Sequence, residues 1–386
     1  MIEPSAVRRA RWAVAAVFLM NGAQLGTWAP QIPVVKERLG LSEFDLGIML
    51  LVMAIGAAVA MPFSGLAIAR SGSAPITRWT ILLQVISLPM VVLAPTYPLL
   101  LAAAVAFGAG TGLSDVGMNA QAVAVEKRLQ RPVMSSLHGM FSVGGFIAAS
   151  AGGLILANFS PEVHVAIVAA VSLSVLAVML PRLLPGGVDR AAPGTAFALP
   201  TRSVAVIGVL TFVVFMAEGA MIDWSAVYLG GELGASPSLA AAGYAAFAGG
   251  MAIGRFGGDI IRARSSAVLL VRAGALAASV SILTGAASGS AMVLIVGLGV
   301  AGLGLSNIIP VLFSAAGRTP GQTAATGVAA VATTGYFGLL VGPPLIGFIA
   351  EWSSLAAAFL MLGVAVFVVA LAASAAGPAD DPTLPG

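Results

Sequence analysis

One carboxylate stands within a long apolar stretch of small residues. Asp115 lies in the segment 110–123, with Thr111 four residues before it and Asn119 four residues after it. On a helix this spacing places the three polar side chains on one face. The next charged residue is Glu126, about 16 Å further along a helix, so Asp115 would lie near the middle of a hydrocarbon layer about 30 Å thick. Such a group costs about 3 kcal/mol and indicates a substrate or proton path; the alternative is an Asp held for helix packing.

A second polar face is predicted near the N-terminus. Asn21, Gln24 and Trp28 have helical spacing, and Asn21 would lie about 15 Å inward from Arg11. Amides and an indole can hydrogen-bond hydroxyl groups and stack on the apolar face of a sugar. This face is therefore a candidate substrate surface. The alternative is that the amides join helices and the indole is an interface anchor.

Two residues in the C-terminal part are further substrate candidates. Asn307 lies eleven residues before Arg318, at a depth that matches that of Asp115. The alternative is a packing amide beside Pro310. Tyr336 can offer a ring and a hydroxyl group to a solute, and a packed aromatic side chain is the competing interpretation.

Three more residues in the apolar segments can carry a charge, and an indole adjoins one of them. Glu218 is a second candidate for proton coupling, and Asp223 is a gate or a helix cap, about 140° away from Glu218 on a regular helix. Trp224 adds an indole to the candidate substrate residues. His138 lies about 10 Å inside one membrane edge and can serve a proton exit; a hydrogen-bonded packing role is the alternative.

A charged cluster is predicted at residues 255–262, the end of an apolar stretch. Asp259 lies between Arg255 and Arg262, and such a cluster can latch helix ends together in one conformation. The corresponding first-half stretch, 65–73, retains Arg70, which we include among the gating candidates.

The composition excludes a soluble domain. Apolar residues make up 59% of the 386 residues and charged residues 9%, and the mean hydropathy is +1.03. This is typical of a polytopic membrane protein. The chain has no Cys, its two His residues do not form a metal-ligand pattern, and no nucleophile–base order or phosphate loop is present. We therefore expect no enzyme activity, metal or cofactor, with the proton gradient as the energy source. The net charge of +3 reflects the membrane topology and not a nucleic-acid partner.

Apolar runs long enough to cross a bilayer appear twelve times. We place them at 12–35, 44–69, 76–95, 98–123, 133–157, 163–182, 203–229, 238–261, 266–287, 290–314, 322–349 and 354–376. With this count, every one of the 18 basic residues except Lys36 and Arg38 lies on one side. The positive-inside rule places that side, with both termini, in the cytoplasm.

The chain divides into two similar halves. Gly112-Leu113-Ser114-Asp115 recurs as Gly304-Leu305-Ser306-Asn307, and Gly65 with Arg70 recurs as Gly257 with Arg262 at the same displacement, about half of the chain length. We predict an N-terminal six-helix half at 1–182, a cytoplasmic linker at 183–202 and a C-terminal half at 203–376. A short, acidic, disordered cytoplasmic tail follows at 377–386.

Several stretches resemble the major facilitator superfamily, specifically its fucose-permease-like branch and the YbjJ-type bacterial inner-membrane transporters. They are SSLHGMFSVGG, EGAMIDWSAVYL, GRFGGD and GLSNIIPVLFSAAG. The resemblance implies a fold of twelve transmembrane helices in two six-helix halves, with the site between them. It places Asp115 at the position of the family's fourth-span acid, which handles the proton and the sugar. The chain departs from the family at Gly26, where fucose permease has an Asp, and at Ala69, where the loop motif usually has an Asp.

The sequence thus predicts a monomeric all-α transporter of the bacterial cytoplasmic (inner) membrane, whose partners are a small polar solute, protons and lipid. Proton symport of a sugar or sugar-like solute is the favoured function. The alternatives are a proton-coupled efflux antiporter for drugs or metabolites and, from another class, a non-transporting membrane sensor. The fifth span lacks the proline of the antiporter motif, and the termini are too short for a signalling domain.

Overall fold

The structure, a computed structural model, describes residues 4–130, 133–185, 201–262, 264–320 and 324–380, and α-helices dominate this part of the chain. The first six helices are α1 (Pro4–Leu39), α2 (Glu43–Ser71), α3 (Ser73–Val92), α4 (Tyr97–Leu129), α5 (Met134–Leu156) and α6 (Pro161–Met179). The remaining helices are α7 (Arg202–Val227), α8 (Pro237–Arg262), α9 (Ala267–Ala287), α10 (Ala291–Leu305), α11 (Ile308–Arg318), α12 (Ala324–Trp352) and α13 (Leu355–Leu371).

Each of the twelve predicted apolar runs coincides with a helix, except that the tenth is divided between α10 and α11. Among the described residues, nine helical segments are long and apolar enough to cross a membrane. There are ten if α13 and the segment Ala373–Asp380, bent by 43°, form one span. The helices α1 and α8 lie outside that set, although their 36 and 26 residues are long enough to cross. The prediction of an all-α membrane protein is confirmed.

Helix pairing follows the same order in the two parts of the chain. In the first part, α1 packs against α5, and α4 packs against both α2 and α3. In the second part, α7 packs against α12, and α10 packs against both α8 and α9. The helix pairs that join the two parts include α1 with α7, α1 with α8, α2 with α12 and α5 with α8. Side chains that lie where helices of the two parts approach each other are therefore the ones available to a site shared by both parts.

Close helix approach depends on glycine. A Cβ atom at Gly108 of α4 would overlap the carbonyl oxygen of Met53 on α2, and a Cβ atom at Gly22 of α1 would overlap that of Phe141 on α5. Small residues at helix contacts allow backbones to approach closely, which is the usual source of helix association in membranes. These glycines fix the rotation of α1 and α4, the helices that carry most of the predicted site.

We expect Gly108→Ala to lower the thermal stability of the purified protein by about 1–3 kcal/mol, because the added methyl group forces α2 and α4 apart. The matched control is Gly65→Ala, since no atom lies within 4 Å of a Cβ at Gly65 and alanine favours a helix by up to about 1 kcal/mol. The measurement is the midpoint of thermal unfolding in detergent. Equal midpoints for the two variants would contradict the role of glycine at this contact.

Two carboxylates hold the starts of later helices. Glu126, near the end of α4, accepts hydrogen bonds from the backbone N–H groups of Val133 (2.7 Å) and Met134 (3.0 Å) at the start of α5. Glu232 accepts one from the backbone N–H of Leu355 at the start of α13. A carboxylate at a helix N-terminus satisfies free N–H groups and complements the helix dipole. The Glu126 contact fixes the end of α5 that carries His138.

The acidic C-terminal tail is ordered over the part that the structure describes. Residues Ala373–Asp380 form a 3₁₀ helix that packs against α9 and α11. The prediction of disorder is therefore wrong for residues 377–380. The carboxylate of Asp380 holds the segment through an ion pair with Arg262 and a hydrogen bond from the backbone N–H of Ala267. Residues 381–386 and most of the predicted linker, 186–200, lie outside the described part, and the predicted bounds of the two halves stay a prediction.

Candidate functional site

Asp115 joins the two parts of the chain through a hydrogen bond. The hydroxyl group of Tyr336 on α12 donates to Oδ2 of Asp115 on α4 over 3.1 Å. The side chain of Asn119 donates to Oδ1 of Asp115 over 3.2 Å and to its backbone carbonyl over 2.9 Å, as the four-residue spacing predicts. Tyr336 stacks on Phe215 of α7, with ring centroids 5.7 Å apart. We call Asp115, Asn119, Tyr336 and Phe215 the acid cluster.

The acid cluster contains no cation. Within the described residues no salt bridge reaches Asp115, whose side-chain partners are the uncharged groups of Tyr336 and Asn119. Asp115 is half-buried, and Tyr336 is 38% exposed. The carboxylate is therefore reachable and can take up a proton without leaving a buried cation unpaired.

A second cluster surrounds Arg255 on α8. Its guanidinium lies 3.9 Å from the carboxylate of Glu218 on α7, and the two side chains are only 17% and 13% exposed. It also donates to the hydroxyl group of Ser142 on α5 over 2.8 Å and lies 3.5 Å from the carbonyl of His138. Arg255, Glu218, Ser142 and His138 form what we call the arginine cluster. It ties α5 to α7 and α8 and so links the two parts of the chain a second time.

His138 contributes a packed ring to the arginine cluster. Its imidazole makes an edge contact with the ring of Phe18 on α1, with centroids 5.0 Å apart. The charged group facing it is the guanidinium of Arg255 and not a carboxylate. These surroundings agree with the packing alternative of the sequence analysis, in which His138 holds α5 against α1.

Asp223 follows Glu218 by five residues on α7 and has a different neighbour. Its carboxylate lies near the indole N–H of Trp28 on α1, a group that has no hydrogen-bond partner of good geometry among the described residues. Trp28 is fully buried and lies 6.4 Å, centroid to centroid, from the ring of Phe107 on α4. Trp28 and Asp223 thus form a third contact between the two parts of the chain.

The structure places four other candidates within helix packing. Asn21 donates to Ser114 over 3.1 Å, directly beside Asp115, whereas Gln24 donates to Ser172 on α6 over 2.9 Å. Asn307 donates to the backbone carbonyl of Gly254 over 2.8 Å. The buried Trp224 donates through its indole N–H to the backbone carbonyl of Pro343 over 3.0 Å. Only Asn21 adjoins the acid cluster. The others join neighbouring helices, because a buried amide or indole takes the nearest acceptor on a packed helix.

The two arginines of the predicted latch at the end of α8, Arg255 and Arg262, bind residues outside that cluster. Arg255 points inward to Glu218, and Arg262 forms an ion pair of 2.9 Å with Asp380 in the C-terminal segment. Asp380 also accepts a hydrogen bond of 2.8 Å from the backbone N–H of Ala267, at the start of α9. The side chain of the predicted partner, Asp259, lies outside the described residues. In the described structure, therefore, the C-terminal segment clamps this end of α8 to α9.

Arg70 lies on the surface at the end of α2. Arg70, Arg262 and Arg318 all come from helix ends that the sequence analysis assigned to one side of the membrane, and we call this side of the bundle the basic end. Among the described residues no ion pair of Arg70 is found. The predicted gating role of Arg70 thus stays a prediction.

We expect Asp380→Ala to increase amide hydrogen exchange at Ala267 and across residues 373–380, since both the ion pair with Arg262 and the cap of α9 are lost. Thermal stability should fall by no more than about 1 kcal/mol, because the pair is partly exposed. Asp380→Asn is the matched control, since the amide oxygen can still accept from Ala267. If exchange at Ala267 is as slow in Asp380→Ala as in the unaltered protein, the clamp is absent.

The end of the bundle opposite the basic end is closed by contacts between α2 and α12. Glu351 accepts a hydrogen bond of 3.1 Å from the backbone N–H of Phe44, and Phe44 packs on Phe348 with ring centroids 5.2 Å apart. Lys36 forms an ion pair of 3.1 Å with Glu43 nearby. These contacts lie beyond the acid cluster, at the end of the bundle away from Arg70.

Sequence reasoning missed residues that have little signal of their own. Ser142 binds Arg255 and Ser114 binds Asn21, but a serine in an apolar helix is common. A buried pair, Gln31 with His164 at 2.9 Å, was also missed, because only metal ligation was considered for the histidine. For that pair a signal existed: polar residues are costly in an apolar helix and need a partner on a neighbouring one.

A family model decides the class of this site. The model described as Major Facilitator Superfamily matches residues 14–338, which include the acid and arginine clusters. The chain belongs to the Major Facilitator Superfamily. It is therefore a multi-pass membrane transporter of the secondary type. Members of this family are transporters and not enzymes, so the expectation that the chain is not an enzyme is confirmed.

Relatives support this assignment over most of the chain. An uncharacterised MFS-type transporter of Yersinia pestis is 39% identical over 93% of this chain and 93% of its own length. The membrane protein MosC of Rhizobium meliloti is 32% identical over 94% of this chain and 88% of its own. Both are bacterial, and neither name states a solute.

Solved transporters share the fold. A variant of the nucleoside transporter NupG superposes with a TM-score of 0.76 at 12% identity, covering 95% of this chain and 99% of that one. A variant of the Escherichia coli fucose:proton symporter FucP gives 0.62 at 18% identity, covering 94% and 98%. At these identities the comparison shows the fold, and the predicted major facilitator fold is confirmed.

Proposed function

We propose that this transporter carries a small polar solute, a sugar or a sugar-like compound, together with a proton. The observation that carries the proposal is the hydrogen bond of 3.1 Å between Asp115 and Tyr336. It joins a carboxylate of α4 to a hydroxyl group of α12, on a helix from each part of the chain. A solute bound at this point would contact both parts, as alternating access around a fixed site requires.

The partners of the two carboxylates that were proposed for proton coupling, Asp115 and Glu218, favour Asp115 as the proton carrier. Asp115 has uncharged partners, so its protonation breaks no ion pair. Glu218 lies beside Arg255, and its protonation would leave a largely buried guanidinium without its counter-charge. Glu218 was the second candidate on sequence grounds. We now assign it the role of fixing Arg255 between α5 and α7.

Uncharged hydrogen-bonding groups favour a hydroxylated solute. The side-chain oxygen of Asn119 and the hydroxyl oxygen of Tyr336 can each accept a hydrogen bond beside Asp115, and the ring of Tyr336, stacked on Phe215, offers an apolar face. Sugars present hydroxyl groups and an apolar ring face, so they match both features. The fucose:proton symporter, which shares this fold, transports such a solute with a proton.

Alternating access would act on the contacts between the two parts of the chain. We assign the parts to residues 1–182 and 203–376, with Asp223 and Trp28 at their interface. Opening the end away from the basic end would separate Phe44 from Glu351. The basic end would face the cytoplasm of a bacterium, with both termini on that side, and the chain would belong to the fucose-permease-like branch. A monomer suffices for this mechanism.

The test uses purified protein in liposomes that contain a pH-sensitive dye, with a panel of hexoses, deoxyhexoses and polyols added outside. The proposal expects proton entry on addition of at least one solute and none in protein-free liposomes. Uptake of a labelled solute without proton movement would make the protein a uniporter and remove the coupling role of Asp115. A different result would support the alternative function, a proton-coupled antiporter. In that case no solute of the panel moves, and an imposed pH gradient drives a drug-like compound in the direction opposite to the protons.

A further inference from the structure

A groove opens on the outer surface of the bundle between α3 and α6. Its volume is about 650 Å³, and Leu82, Leu173 and Ala177 are among the apolar side chains that line it. Leu173 is 43% exposed and Ala177 is exposed, so the groove faces the surroundings of the bundle and not its interior. In a membrane protein such a groove is filled by a lipid acyl chain.

One charged side chain, Arg78, lines this groove. Its Nε donates to the backbone carbonyl of Leu180 over 3.1 Å, which fixes the plane of the guanidinium. Among the described residues no acceptor engages its two terminal nitrogens, Nη1 and Nη2, and no carboxylate lines the groove. A fixed guanidinium with two free parallel donors matches the oxygens of a phosphate group.

The position of Arg78 corresponds to the level of lipid headgroups. It lies five residues after the start of α3, at the basic end of the bundle. The next residue, Trp79, is 74% exposed, and exposed tryptophans gather at the membrane–water interface. Arg182 follows Pro181, which lines the groove, and its guanidinium donates to the carbonyl of Val178 on α6. Basic pockets between helices at this level bind anionic headgroups.

A second groove provides an internal comparison. It lies between α9 and α10, has a volume of about 520 Å³ and includes Leu276, Val280 and Val296. No charged residue lines it. The two grooves therefore offer similar space for an acyl chain, and Arg78 distinguishes the first.

We infer that the groove between α3 and α6 binds one anionic phospholipid, whose phosphate group engages Arg78 and whose acyl chain lies against Leu82, Leu173 and Ala177. The site is separate from the acid and arginine clusters, so the inference does not depend on the transported solute. It assigns α3 and α6 a specific lipid contact in addition to general solvation by the bilayer.

The test is native mass spectrometry of the full-length protein in a neutral detergent, titrated with phosphatidylglycerol or with phosphatidylcholine of the same acyl chains. We expect one phosphatidylglycerol to be retained preferentially. Arg78→Gln, which keeps a donor for Leu180, should weaken its retention about five- to tenfold, and Arg78→Lys should weaken it less. Arg128→Gln removes an exposed charge at the end of α4 and serves as the matched control, with an expected change below about twofold.

A second variant separates the acyl chain from the charge. Ala177→Phe fills the groove at an exposed position and should reduce phosphatidylglycerol retention while Arg78 stays in place. The inference is overturned if Arg78→Gln loses no more phosphatidylglycerol than Arg128→Gln, or if phosphatidylcholine is retained equally well. It is also overturned if sn-glycerol 3-phosphate displaces the lipid at equal concentration, since the groove would then hold a free anion.

Discussion

Asp115→Asn is expected to abolish proton entry on addition of the solute while leaving the protein folded. Asparagine has nearly the same shape and can still contact Tyr336 and Asn119, but it cannot carry a proton. Exchange of labelled solute across the liposome membrane should persist at a reduced rate, because exchange needs no net proton transfer. The two readouts, dye response and exchange, separate a coupling residue from a packing residue.

The control for this variant is Asp45→Asn. Asp45 belongs to the capping box at the start of α2, and within the described part of the chain its carboxylate accepts hydrogen bonds from Ser42 alone. Proton entry should persist in this variant. Accumulation of solute against its gradient by Asp115→Asn would exclude Asp115 as the coupling residue.

Tyr336→Phe tests the partner of Asp115. The hydroxyl group of Tyr336 is proposed to bind the uncharged solute, and loss of one such hydrogen bond costs about 0.5–1.5 kcal/mol, so apparent solute affinity should fall about two- to tenfold. Tyr97→Phe is the matched control, because the hydroxyl group of Tyr97 donates to the backbone carbonyl of Asp45 over 2.8 Å, outside the site. Equal affinities in Tyr336→Phe and Tyr97→Phe would place the solute elsewhere.

Arg255→Met is expected to produce the largest loss of thermal stability among the variants considered. The change leaves Glu218 as an uncompensated carboxylate at a site where both side chains are mostly buried. Breaking one partner of a buried pair costs about 3–5 kcal/mol, whereas replacing both partners is often neutral. The double variant Glu218→Gln with Arg255→Met should therefore recover most of the loss. The measurement is the midpoint of thermal unfolding for the two single variants and the double variant.

Lys36→Met is the matched control for charge removal. Lys36 and Glu43 also form an ion pair, but their side chains are 24% and 32% exposed, so the expected loss is below about 1 kcal/mol. If the double variant at Glu218 and Arg255 is as unstable as Arg255→Met alone, the two residues are not coupled. Arg255 would then act through Ser142 and the contact between α5 and α8.

The sequence predicted the helices well, because crossing a bilayer depends on local properties. Length and mean hydropathy suffice to find an apolar segment, and all twelve predicted runs coincide with helices. Two breaks within the predicted runs were not foreseen, one at Ser306–Asn307 between α10 and α11 and one at Ala372 after α13. Asn307 and Pro310 are both present at the first break, but neither alone distinguishes a continuous helix from a broken one.

The C-terminal segment shows where composition misleads. The residues from 377 onward are rich in Pro, Gly and Asp, a composition typical of disorder, yet residues 377–380 belong to a 3₁₀ helix. Asp380 orders this segment through Arg262, 118 positions earlier, and through the start of α9. No local pattern encodes a contact over that distance.

The sequence by itself determined the class of protein and the order of the helices, since both follow from hydropathy and charge. It also determined that Asp115 and Asn119 share a face, because a spacing of four residues follows helical periodicity. The depth of Asp115 in the bilayer and the separate faces of Glu218 and Asp223 stay predictions from the rise of about 1.5 Å and the rotation of about 100° per residue.

Only the tertiary structure decided which of these side chains meet. Tyr336 reaches Asp115 across 221 positions, and Arg255 reaches Ser142 across 113. Trp224 and Asn307, equally plausible on sequence grounds, face neighbouring helices instead. The physical reason is that such contacts depend on the rotation and spacing of whole helices, which close backbone contacts such as that of Gly108 with Met53 set far from the polar residues themselves.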